Sequence, residues 1–372
     1  VLNEQLPYIN APQLTESESE KYVNAEPSQC VESLYLHCCR AIRKGYATGS
    51  HGLILFGSGD WNDGMNKAGA TGSGESVWCS MFSIMVNERF ARTAAVSVSD
   101  DAFAEECTQR AAELRAAVES QAWDGKWYLR GFHDDGSKLG SAESDGCKID
   151  VLPQSFAAVA GGFDGARVSQ GLDFAKKYLQ DEDARLVKLF TPPYNDKGHN
   201  PGYIRGYAEG VRENGGQYTH AAIWYAWALF KNGRINEASH ILDLINPVTH
   251  SLSVNDVRRY RLEPYVVAAD IYSNPAHNGM GGWSHYTGSA GWYFKVATET
   301  MLGIRRRGGR LYIEPSLPDD IKGYSAEIKI DGTYIRLSVS RIAPSGLTVD
   351  GTAADSIPLD GGTHVAEYRY LI

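Results

Sequence analysis

The stretch GSGDWNDGMN, residues 57–66, sets Asp60 and Asp63 three apart among three glycines, with Trp61 between them. Cleaving a glycosidic bond needs a carboxylic acid that protonates the departing oxygen, and an apolar neighbour such as an indole helps keep that acid protonated. An Asp/Asn-rich turn, with side chains bonded to nearby backbone, accounts for the same residues equally well. Further on, VRENGGQYTHAAIW places Arg212 and Glu213 before a Gly-Gly turn and His220 in the first turn of an apolar helix. Unsatisfied N–H groups at a helix start attract anions, although a histidine in such a place is more often a satisfied structural one. Glu213 and Asn214 read either as hydroxyl ligands or as a surface pair. In YTGSAGW, Thr287 and Gly288 open another apolar helix, which taken alone is an ordinary N-cap. Two such helix starts side by side, one carrying a hydroxyl and one an imidazole, would form a cradle for phosphate. No Walker A, GxSxG, HExxH or convincing GxGxxG motif occurs.

These residues need a scaffold, and apolar spacing supplies one. Helices are predicted from about residue 27 to Gly45, at 75–92, 101–121, 153–161, 166–180, 217–231, 234–245 and 287–303. The long loops 191–216 and 272–288 are dense in Gly, Pro, Asn and Tyr, and their length marks them as functional. From residue 304 the texture changes to short alternating runs such as SAEIKI and YIRLSVSR, separated by Gly, Pro or Asp. The predicted organisation is a helical domain over 1–303 and a small antiparallel β-sandwich over 304–372.

Composition bounds the function. The 372 residues carry a net charge of −9 and no long basic run beyond Arg305-Arg306-Arg307, which argues against nucleic acid as a partner. Aromatics at 11% suit stacking on sugar faces as well as a large core. The 6 cysteines show no CxxC spacing, so reduced thiols in a cytoplasmic protein are expected, with no metal site. No apolar run is long enough for a membrane span. The start, VLNEQLPYIN, has the character of neither a signal peptide nor an initiator context, and reads as the middle of something longer.

Taken together, GSGDWNDGMN, GESVW, NPGYIRGY, GVRENGGQYTHAA and YTGSAGW resemble glycoside hydrolase family 94, the inverting disaccharide and oligosaccharide phosphorylases. The wording is closest to its branch acting on β-1,2-glucans: the 1,2-β-oligoglucan phosphorylases and the phosphorylase-like domain of cyclic β-1,2-glucan synthases. The resemblance implies an (α/α)6 barrel, here lacking its first helices because only about eight of twelve are found. It implies Asp63 as general acid and His220, Thr287 and Gly288 as phosphate ligands. Asp60 would be a supporting or sugar-contacting residue, Trp61, Tyr207, Arg212 and Glu213 would line the sugar subsites, and Glu75 and Gln154 would be further pocket positions. An inverting hydrolase needs a second carboxylate to activate water, whereas phosphate is already an anionic nucleophile, so one acid and one anion cradle suffice. The products would be α-glucose 1-phosphate and a glucan one unit shorter, with phosphate as co-substrate and no cofactor.

Two departures bear on this. EPYVVAADIY lacks the Gln that follows EPYV in cellobiose phosphorylases, which favours the β-1,2 branch. The early family helices that bring an Arg to phosphate and an Asp to the sugar have no counterpart after Val1. The expected partners are therefore an oligosaccharide and phosphate, with a homodimer or a preceding segment completing the ring. An inverting glycoside hydrolase and a non-catalytic glucan-binding fragment are the competing readings.

Overall fold

The computed structural model describes residues 1–15, 18, 21–285 and 287–371, with the Thr287 side chain left undescribed. Its helical part begins with strands β1 (Gln5–Asn10) and β2 (Glu26–Ser33), paired antiparallel. This corrects the helix expected from residue 27: Val31 lies opposite Pro7 in the ladder, and helix α1 (Leu34–Gly45) starts only where the Ser33 hydroxyl accepts from Leu36 N–H.

Helices α2 (Val77–Thr93), α3 (Asp101–Gln121), α4 (Val151–Ala160), α5 (Gly165–Leu179), α6 (Thr219–Lys231) and α7 (Ile235–Leu244) follow close to their expected places. A short helix α8 (Val254–Tyr260) was not anticipated, because it lies in a polar stretch with little apolar periodicity. Helix α9 (Thr287–Lys295) runs into a π-helical turn over Val296–Met301. Among the described residues, none of these helices is long and apolar enough to cross a membrane.

Helices α2, α4, α6 and α9 pack on one another in succession, with α3, α5 and α7 behind α2, α4 and α6. Burial explains the two rows. Ten of the thirteen α6 residues are buried, whereas α5 buries five of fifteen, as an outer helix with one apolar stripe does. The inner row shares one core, including Trp78, Met81, Phe156, Trp224 and Val296. Each inner helix is entered from a long loop, so the segments 46–76, 122–150, 180–218 and 261–285 lead to inner-helix N-termini. The nine described helices are fewer than the twelve of a closed (α/α)6 ring.

After Gly303 the chain forms a second core. Strands β3 (Ile304–Arg307), β4 (Arg310–Ile313) and β9 (Ile357–Pro358) make one sheet. Strands β5 (Gly323–Ile330), β6 (Thr333–Ser340), β7 (Gly346–Val349), β8 (Thr352–Ala354) and β10 (Thr363–Arg369) make the other. Leu311, Ile313 and Ile357 of the first sheet meet Ile335, Leu337, Val339 and Ala366 of the second. The expected all-antiparallel pattern fails at one pair. Strand β10 inserts between β6 and β7, and runs parallel to β6 and antiparallel to β7.

Candidate active site

The loop carrying Asp60 and Asp63 is anchored from below. Arg130, fully buried, sends Nη1 to Asp60 Oδ2 and Nη2 to Asp60 Oδ1, both at 2.6 Å. The Ser76 hydroxyl, which also caps α2, donates to Asp60 Oδ2 at 2.6 Å, and Asn62 N–H donates to Oδ1 at 2.9 Å. Arg130 Nε lies 3.3 Å from Asp150, the N-cap of α4. Burial opposes the Arg130 charge, and the two carboxylates outweigh it; Asp150 itself is pushed up to about 6, chiefly by burial. Asp60 is thus a loop anchor, with both oxygens committed and a side chain only 1% exposed. Of the two roles expected for it, supporting or sugar-contacting, these bonds fit the supporting one and leave no oxygen for a sugar hydroxyl.

Asp63 stands apart from this clamp. It opens a single 3-10 turn, Asp63–Met65, capped by the Asn62 side chain, and it is exposed. Two glycines make the turn possible. Gly59 sits at φ +127°, with the Asp63 backbone where a side chain would begin, and a Cβ on Gly64 would lie 3.0 Å from the Ile204 side chain. The Tyr203 phenol faces Asp63; burial first, then hydrogen bonding to this carboxylate, holds the phenol in its protonated form.

Trp61 points the other way, edge-on to His220 at 5.4 Å between centroids and to Tyr218 at 5.2 Å, and tilted against Trp224 at 5.3 Å. His220 packs on Trp224 at 4.2 Å. Its Nε2 is buried without a partner, as is Trp224 Nε1. Burial pushes His220 down to about 4, so at neutral pH it is an uncharged imidazole. A Cβ placed on Gly288 would lie 3.6 Å from His220 Nδ1, so the start of α9 comes up against this ring. The fold therefore brings His220 and Gly288 together; the Thr287 side chain falls outside the described residues.

Glu213 and Arg212 lie in the loop before α6. Arg212 holds φ +51°, a conformation costing ~1–2 kcal/mol for a residue with a Cβ. Its guanidinium stacks over Trp283 at 4.4 Å and over Tyr207 at 5.1 Å, which offsets that strain. Glu213 Oε2 is buried, 3.5 Å from Arg212 Nε and without a hydrogen bond. Burial raises its pKa, Arg212 opposes the rise, and the neighbouring Asp270 and Asp63 charges add to it. Asp270 resembles it, with one oxygen accepting from Trp283 N–H and the other buried and unpaired.

Two expected pocket positions are corrected. Gln154 is fully buried and spends its amide on the Tyr128 N–H, the Tyr128 carbonyl and the Asp150 carbonyl. Glu75 is fully buried as well, accepting from Leu53 N–H at 3.0 Å and His51 N–H at 3.1 Å and pairing with the His51 imidazole. Both buttress loops, as buried polar groups must when backbone donors need partners. Sequence reasoning missed Arg130, Asp270, Tyr203 and Trp283. For Arg130 a signal existed: an arginine inside the otherwise apolar WYLRGF. Among the described residues, no group of three or more His, Cys, Asp or Glu is disposed to hold a metal ion.

Residues 13–303 match the family described as "Glycosyl hydrolase 94 superfamily, catalytic domain". The chain is 44% identical over 348 residues to the cyclic beta-(1,2)-glucan synthase NdvB of Rhizobium meliloti (strain 1021), covering 93% of this chain and 12% of that protein. It is 30% identical over 347 residues to the solabiose phosphorylase of Paenibacillus borealis, covering 90% of this chain and 44% of that one. The chain thus spans less than half the length of either relative. A likeness of fold alone links it to the GH78 family rhamnosidase of Bacillus sp. GL1, with a TM-score of 0.50 at 14% identity over 90% of this chain and 31% of that one.

Proposed function

The chain belongs to the glycosyl hydrolase 94 superfamily, and from that premise we propose that it carries the site for inverting phosphorolysis of β-1,2-linked oligoglucans. Asp63 protonates the glycosidic oxygen while phosphate attacks the anomeric carbon from the opposite face. The C–O bond to the leaving glucan breaks as the C–O bond to phosphate forms, giving α-glucose 1-phosphate and a glucan one unit shorter. Phosphate is a co-substrate, and the reading needs no cofactor.

One observation carries the proposal: the buried, unpartnered Nε2 of His220, whose ring also faces the first turn of α9 at Gly288. An orphaned imidazole nitrogen costs ~1–3 kcal/mol unless a ligand meets it, and a helix start such as that of α9 presents backbone N–H groups suited to an anion. Asp63 is exposed, two residues from Trp61, whose ring meets that of His220 edge-on at 5.4 Å, so one loop carries the proposed acid and a wall of the proposed anion site. Glu213, Arg212, Tyr207 and Trp61 are then the sugar-lining set, and Thr287 joins the phosphate ligands on the family resemblance. The β-1,2 linkage rests on the similarity to a protein named for cyclic β-(1,2)-glucan synthesis. A cytoplasmic setting and a ring completed by a partner copy or a preceding segment belong to the same proposal, the former supported by six unpaired thiols.

A coupled assay for glucose 1-phosphate tests it, with the chain, inorganic phosphate and short β-1,2-glucans, and cellobiose alongside. Phosphate-dependent product from the β-1,2 substrates is expected. Glucose released without phosphate would instead make the site hydrolytic, and glucan binding without any product would make it a binding module.

A further inference from the structure

A second cavity, of about 380 Å³, lies outside the acid and anion site, between the turn after Phe132, the 141–146 loop and the segment around His199. Its size falls within the usual range for small-ligand sites. His133, which lines it, is buried, with 8% of its surface exposed. The ring stacks on that of His199 at 4.9 Å. His199 in turn meets the Ser137 hydroxyl at 3.2 Å and Asp135 at 3.3 Å. Burial and the neighbouring His199 hold His133 in its neutral form, with one nitrogen to donate and one to accept. The exposed residues Asp145 and Glu143 also line the cavity. Asp145 is pressed against the same segment, since a Cβ on Gly198 would lie 2.6 Å from its Oδ2.

These groups select a chemistry. The Glu143 and Asp145 carboxylates outnumber the one lysine of the lining, Lys138, which already meets Asp124 at 3.3 Å, so phosphate and other anions are disfavoured, and the set is not disposed to chelate a metal ion. A neutral imidazole, exposed carboxylates and serine hydroxyls together suit ligands rich in hydroxyl groups, each of which donates and accepts at once. We propose that this cavity is a second saccharide subsite, taking a neutral glucan segment remote from the bond being cleaved. The choice of a β-1,2-linked glucan as its ligand rests on the proposed function; the subsite itself rests on His133, His199 and Asp145. One segment serves both places: His199 lines the cavity, and Tyr203, four residues on, faces Asp63. That spacing is at most ~14 Å of extended chain, within reach of a single oligosaccharide, so one chain can engage both and order the segment against the acid.

The test follows the imidazole resonances of His133 and His199 while a β-1,2-linked glucotetraose is titrated into the chain carrying Glu213→Gln, which weakens the acid site. Saturable shifts of both rings are expected, with affinity about tenfold weaker when Asp145→Ala is added, the loss of ~1.4 kcal/mol. Because Asp145 is exposed, that variant keeps its fold; Ser137→Ala serves as a second one. Rings unmoved at about 10 mM saccharide, well above a 1 mM dissociation constant, would overturn the subsite. So would shifts indifferent to both variants, or a response to inorganic phosphate in place of the saccharide. A phosphorolysis assay separates the two readings. Shifting rings without phosphorolysis leave the subsite and remove the reaction, whereas phosphorolysis with silent rings does the reverse.

Discussion

Arg130 grips both oxygens of Asp60 at 2.6 Å, and Asp63, three residues further along the same loop, is left outside that grip. One carboxylate is spent on holding the loop so that the other can face outward. The division follows from burial: an ion pair closed off from water and bonded at both oxygens is held rigid, whereas an exposed side chain can meet a substrate.

Removing Arg130 therefore acts on the whole loop. Arg130→Met strands the buried Asp60 charge and is expected to cost about 3–5 kcal/mol of stability, read as a lower midpoint in urea unfolding. Asp60→Asn keeps two of the hydrogen bonds and should cost less. Native-like midpoints for both variants would show that the clamp does not hold the loop.

On the proposed reading, Asp63→Asn touches the chemistry alone. The side chain is exposed, so thermal unfolding should be unchanged, while glucose 1-phosphate formation falls by about 10²–10⁴-fold, as loss of a positioned acid does. Glucan affinity, measured by calorimetry, should persist. Unchanged turnover would pass the acid role to another group.

His220→Ala should raise the phosphate KM about tenfold or more, the value of one hydrogen bond to a charged ligand, with the glucan KM little changed. Gly288→Ala should act in the same direction without unfolding, because its Cβ would meet His220 Nδ1 at 3.6 Å, an ordinary contact. Equal movement of both constants would remove the anion assignment.

The pH dependence of stability follows from His220 and His250, both pushed down to about 4 by burial. Unfolded histidine takes up a proton near pH 6.5 and the folded residues resist it, so their contribution is complete above 6.5 and is lost as pH falls toward 4. Asp150, pushed up to about 6, works in the opposite direction over the range down to its ordinary value. His220→Gln deletes one of these terms. Its melting temperature should therefore drop less than that of the parent chain between pH 7 and pH 5. Equal drops would mean that the ring is accessible to solvent protons in the folded state.

Much of the scaffold was legible from apolar spacing. Helices α2 to α7 fall within two residues of expectation at either end, because each is a continuous run of helix-compatible apolar spacing, and α2 to α5 are also opened by a side-chain cap. The residues 26–33 were not, since pairing with Gln5–Asn10 depends on a partner distant in sequence rather than on their own pattern. The parallel β6–β10 pair was hidden for the same reason, a strand's neighbour being a property of the whole sheet.

By itself, the sequence determined which residue types cluster in which loops: an aspartate pair around a tryptophan, a histidine and a glycine at helix starts, and a family written in their order. Such local facts survive in one dimension because caps, turns and periodicity act over a few residues. Only the tertiary structure decided which aspartate is anchored and which is free, for that depends on Arg130, seventy residues from Asp60. It likewise decided that Glu75 and Gln154 serve backbone donors, and that His220 meets Gly288 with a nitrogen left unpaired. Burial and partnership are set by packing between distant segments, and they determine whether a polar side chain supports the fold or faces a ligand.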